Sequence, residues 1–129
     1  MNQLNSFEFR IGQTESLIEI LNQEFSLEPK SNLEEWPRTY QILYRGKTYK
    51  SVFSIFGSFT VIPSDSRFSS NASPIYYLSL NSNSSDELVW TKPDGQTIEN
   101  RKQILEEFKK SVETYEERIS EINTKEIIT

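Results

Sequence analysis

The sequence predicts an α+β domain: a mostly antiparallel sheet of five to six strands with a helix near each end of the chain. Three observations carry that expectation. Tyr40 to Ile62 is the densest apolar and aromatic run, and turn signals at Arg45-Gly46 and Gly57-Ser58 cut it into strand-length pieces, a central meander over 39–62. Apolar residues recur at helical spacing before it, over about 14–25, and after it, over about 97–122. The 129 residues are enough for one domain, 1–129, with a core that needs neither disulfides nor metal.

Phe7, Phe9 and Ile11 alternate with Glu8 and Arg10, which suits a short edge strand ended by Gly12. Ser16, with Glu19 three residues on, has the form of a capping box, and Leu17, Ile18, Leu21 and Phe25 follow on one helical face. A first helix is therefore expected from about Thr14, with Pro29 stopping any continuation. Residues 31–37 form a connector, and Pro37 biases Trp36 toward an extended conformation before the first central strand.

Within the meander, Arg45-Gly46 stands where a tight hairpin needs positive φ, and Gly57 stands at the first central position of a type II′ turn. If both loops hold two residues, Tyr40, Ile42, Tyr44, Tyr49, Phe53, Ile55 and Ile62 share an apolar core face. The opposite face then carries Val52, Phe56, Phe59 and Val61. A bulge at either glycine exchanges the faces beyond it. An uncharged, β-prone run of this length needs cover on both faces, from a second helix or from a partner.

Residues 63–74, rich in Ser, Asn and Asp and bounded by prolines, read as a loop. Ile75–Leu80 alternates as a strand, residues 81–86 form a polar loop, and Glu87–Thr91 is a short strand before the Pro93-Asp94-Gly95 turn. Leu105, Phe108, Val112, Tyr115, Ile119 and Ile122, widened by Ile104, recur every three or four residues. A second helix with that stripe packs across its own sheet in preference to a coiled coil, because short coils are marginal. Residues 124–129 are expected to fray. In element order, size and acidity the chain resembles the small acidic secretion-chaperone type of helix–sheet domain. It departs from that type in having a Ser/Asn loop where the type carries a middle helix.

The chemical repertoire is narrow. Without cysteine there are no disulfides, thiolate metal sites or thiol catalysis, and without histidine the commonest metal ligand and the usual general base are missing. Glu34-Glu35, Glu106-Glu107 and Glu116-Glu117 are sequence neighbours, which point apart on a helix, and Asp65, Asp86 and Asp94 lack ligand spacing. No phosphate-binding glycine loop, dinucleotide fingerprint or serine elbow occurs. The expectation is a protein that is not an enzyme, with no catalytic, cofactor-binding or metal-binding residues.

The net charge of −5 is unevenly spread, with two basic against seven acidic residues up to Trp36 and five against three from Pro37 to Leu88. The start, MNQLNSFEFR, lacks the basic and apolar regions of a signal peptide, and no run is long enough to span a membrane, so a cytoplasmic location is expected. By elimination, the residues favour a small acidic module that binds another protein, as an inhibitor, immunity protein, chaperone or assembly adaptor. Its contact residues are expected to be Trp36, Val52, Phe56, Phe59 and Val61. A homodimer through the C-terminal helix or a sheet face is a further form of the same idea.

Two alternatives stand beside it. A small-molecule or lipid carrier would hold its ligand between sheet and C-terminal helix, against Phe53, Tyr76, Trp90 and Tyr115. The hairpin 38–50 interleaves Arg38, Arg45, Lys47 and Lys50 with Tyr40, Tyr44 and Tyr49, which suits a nucleic-acid contact. The acidity of the rest of the chain weighs against that.

Overall fold

The computed structural model describes residues 7–64, 74–82, 87–98 and 100–128. Helix α1 (Phe7–Glu24) leads into seven strands and the chain closes with helix α2 (Arg101–Ile128). The strands are β1 (Ser26–Pro29), β2 (Arg38–Tyr44), β3 (Lys47–Ser54), β4 (Ser58–Pro63), β5 (Tyr76–Ser82), β6 (Leu88–Thr91) and β7 (Thr97–Ile98). They form one antiparallel sheet whose spatial order is the sequence order. The architecture is α+β, with a strand count slightly above the five or six expected.

Helix α1 begins earlier than its apolar pattern suggests. Phe7, Phe9 and Ile11 belong to it rather than to an edge strand, Gly12 is interior, and Ser16 lies in mid-helix instead of at a cap. The buried stripe is Thr14, Leu17 and Leu21, with Phe9 and Ile18 packed beside it. Thr14 fits an apolar stripe because its hydroxyl donates to the Arg10 carbonyl at 2.8 Å, leaving the methyl for the core. A polar letter at a core position hides the first half of the helix from a hydrophobicity count.

Strand β1 occupies part of the expected connector. It pairs residue for residue with β2, Leu27 opposite Ile42 and Pro29 opposite Tyr40. Pro29 has no amide hydrogen, which an edge strand tolerates. At the other edge β7 is two residues long. Short edges of this kind offer little backbone for a stray strand to pair with.

The two central turns differ. Tyr44 pairs with Lys47, so Arg45-Gly46 is a two-residue loop, with φ of 54° and 77° as a type I′ turn requires. Ser54 pairs with Ser58, so the second loop holds three residues, Ile55-Phe56-Gly57, and Gly57 takes a φ of 88°. The extra residue reverses the faces beyond it. Phe59 and Val61 therefore belong to the core face, both fully buried, whereas Ile62 turns to the other side, contrary to the two-residue reading.

The turn at Pro93-Asp94-Gly95 is a hairpin rather than the entry to a helix. The Lys92 amide donates to the Gln96 carbonyl at 2.8 Å, the Asp94 carboxylate accepts from the Gln96 amide, and Thr97-Ile98 returns as β7. Helix α2 starts later than expected, at Arg101. Asn100 caps it, its side-chain oxygen accepting the Lys102 amide at 2.9 Å.

Both helices pack on one face of the sheet. Their shared core runs from Leu17, Leu21 and Phe25 through Ile42, Phe53, Phe59, Leu78 and Trp90 to Ile104, Phe108 and Val112. Phe25 sits at the helix junction, 4.9 Å from the Phe108 ring centroid and edge-on to Tyr44. Helix α2 is also tied down by three phenol–carboxylate hydrogen bonds: Tyr76 donates to Glu107 at 3.5 Å, Tyr44 to Glu113 at 3.2 Å and Tyr49 to Glu116 at 2.5 Å. No described helix is long and apolar enough to cross a membrane.

Candidate functional site

Because both helices lie on one face, no described element covers the other. Strand pairing arranges that open face in rows. Thr39, Val52, Thr60 and Tyr77 follow one another across β2 to β5. Beside them run Gln41, Lys50 and Ile62, and on the far side a hydroxyl row of Ser54, Ser58, Ser79, Thr91 and Thr97 crosses five strands. Glu28 and Lys50 are the charges that the described strand residues place on this face. In an acidic chain it is thus close to neutral, with Val52, Ile62, Tyr77 and Val89 part-exposed and Leu43 47% exposed at its β1–β2 end. An antiparallel sheet can present such a face to water, since alternate residues are the ones the core claims.

The residues expected to meet a partner do not share a surface. Val52 is on the open face, but Phe59 and Val61 are 0% exposed beneath the helices and are withdrawn from any contact surface. Phe56 is 62% exposed at the tip of the β3–β4 turn. Its backbone is fixed from below, where the Arg10 guanidinium donates to the Phe56 carbonyl at 2.7 Å and to the Leu80 carbonyl at 3.2 Å. Trp36 is half-buried before β2, with the Arg38 guanidinium 4.2 Å from its ring centroid.

The four basic residues of the hairpin are likewise dispersed. Arg38 lies on the helix face, bonded to Glu15 at 3.1 Å, with its Nε buried and lacking a hydrogen-bond partner. Arg45, at the far end of β2, pairs with Glu113 at 3.2 Å beside exposed Lys47, and Lys50 is on the open face. Tyr40 and Tyr49 are buried and Tyr44 half-buried in the core, so none is splayed outward to stack on a base. Phe53, Tyr76 and Trp90, placed around a carrier pocket by the sequence, are buried in the core, Trp90 also lining a cleft of about 320 Å³ beside Ile98 and Ile104, while Tyr115 lines a separate surface cleft.

Sequence reasoning missed the tyrosine–glutamate row. Its signal was present: Glu107, Glu113 and Glu116 flank the stripe Phe108, Val112 and Tyr115 and so sit where the helix meets the sheet. Burial first, and then the carboxylate beside each, holds the phenols of Tyr44, Tyr49 and Tyr76 above their ordinary value. A neutral phenol donating to a carboxylate fastens helix α2 to the sheet. Among the described residues no group of three or more acidic side chains is placed to hold a metal ion. Asp65, Asp86 and the loops 65–73 and 83–86 lie outside the described residues. The chain matches no protein-family model, no curated protein and no solved structure.

Proposed function

We propose that this chain is a non-enzymatic module that binds another protein through the open face of its sheet. The observation that carries the reading is one-sided coverage: two helices share one face, and the other, near-neutral and hydroxyl-rich with part-exposed Val52, Ile62 and Tyr77, has no described cover. The cores of protein interfaces are poor in charge and enriched in aromatic residues, which fits the weakly charged centre of this face around Val52, Ile62 and Tyr77. The partner is expected to be a folded protein presenting a flat, weakly charged patch. The acidic flank and a location in the cytoplasm belong to the same proposal.

The test is affinity capture from the native host with the wild-type chain and with the Val52→Glu/Tyr77→Glu variant. Both substituted side chains are on the open face, so circular dichroism and the melting temperature should stay close to wild type. The proposal expects a stoichiometric partner with the wild-type chain and its loss with the variant. Capture of the same partner by the folded variant would rule this face out.

A further inference from the structure

Helix α2 is charged differently along its two flanks. Toward the β2–β3 hairpin it presents Glu113 and Glu116, engaged with Arg45, Tyr44 and Tyr49. Toward the start of β5 it presents Lys110, Ser111, Thr114 and Arg118, which line a cleft of about 630 Å³ together with Ile75 and Tyr115. The volume is in the range of small-molecule sites, roughly 300–1,000 Å³.

The one acid among the described residues of that wall, Glu107, is already committed. It pairs with Lys92 at 3.2 Å, accepts from the Gln103 side chain at 2.7 Å and takes the Tyr76 hydroxyl. No described carboxylate pairs with Lys110 or Arg118, whose positions are eight residues apart on the helix, about 12 Å along its axis. Ser111 and Thr114 place hydroxyls between the two cations, and Ile75 and Tyr115, both packed against the core, provide an apolar floor. A protein of net charge −5 thus places at one concave spot two cations that no described carboxylate pairs with.

We propose that this cleft binds a small soluble organic anion, with its acidic group held by Lys110 and Arg118 and its apolar body lying on Ile75 and Tyr115. A sulfonate, carboxylate or phosphate satisfies the two cations and the hydroxyls together, through charge-assisted hydrogen bonds. This site lies on the helix layer and is independent of the open sheet face.

The probe is 1-anilinonaphthalene-8-sulfonate, compared with uncharged N-phenyl-1-naphthylamine by calorimetric titration of the full chain. The expected result is one saturable sulfonate site that weakens with added salt and is preferred over the uncharged analogue. The Lys110→Ala/Arg118→Ala variant should bind roughly tenfold or more weakly, while Lys50→Ala, on the other face, should bind as wild type. Both alanines replace exposed helix residues with a better helix former, so the variant is expected to fold. Absence of saturable sulfonate binding, or equal binding by the double variant, overturns the proposal.

Discussion

A β-carbon built on Gly57 would stand 2.4 Å from Leu80 Cδ1, so the β3–β4 turn and β5 approach more closely than any side chain at position 57 permits. The Leu80 amide donates to the Gly57 carbonyl at 2.7 Å across the same contact, and Gly57 has a φ of 88°. Gly57→Ala therefore meets two penalties, left-handed backbone and overpacking, and should cost about 2–4 kcal/mol in urea unfolding. Gly46→Ala, with φ of 77° but nothing within 4 Å, should cost about 1–2 kcal/mol. Equal losses at the two positions would mean that Leu80 moves aside at no cost.

Arg10 joins three parts of the molecule, since its guanidinium, on α1, donates to a carbonyl in the β3–β4 turn and to another in β5. Arg10→Met keeps most of the apolar stem and removes both donors. It should destabilise the chain by about 1–3 kcal/mol, because two carbonyls lose a charged donor. Amide exchange at Phe56 and Gly57 should accelerate more than exchange in β2. Uniform acceleration across the sheet would argue against a local tie.

The tyrosine–glutamate row predicts a pH response. The folded state holds these three phenols above their ordinary value, near 10, so it keeps protons that the unfolded chain releases. Their contribution is fully present below about pH 10 and is lost as the pH rises through the folded-state values. The melting temperature should thus decline above about pH 10, and the decline should be shallower in Tyr49→Phe. That variant should also lose about 1–2 kcal/mol near neutral pH, from the missing bond to Glu116. An unchanged alkaline slope would remove Tyr49 from this account.

Much of this architecture was legible in the sequence, and the misreadings have particular causes. The two helices, the type I′ turn at Arg45-Gly46 and the strands around Tyr40, Tyr49 and Trp90 follow from spacing and turn chemistry. Residues 7–13 misled because Phe7, Phe9 and Ile11 alternate while Arg10 and Thr14, the residues that continue the buried side of α1, are polar. The face of Phe59 and Val61 turned on whether the loop ending at Gly57 holds two residues or three, and glycine suits both. Strand β7 was hidden because Thr97 and Ile98 adjoin a helix that Asn100, not they, begins. The open face was legible only in part: alternation put Tyr40, Ile42, Tyr49 and Phe53 on the core side and Val52 opposite, but that both helices gather on the one side is decided by long-range packing.

The most direct test uses the chain's lack of cysteine, which allows single thiols to report on each face. Thr60 and Val61 are neighbours on β4 but point to opposite sides, Thr60 part-exposed and Val61 fully buried. The rate of thiol alkylation would be measured for Thr60→Cys and Val61→Cys, first alone and then with the partner captured from the host. Rapid labelling at position 60, protection at position 61, and slowing at position 60 when the partner is added is the predicted result. A thiol at position 60 that labels equally fast with and without bound partner would contradict the claim that this face is where the protein works.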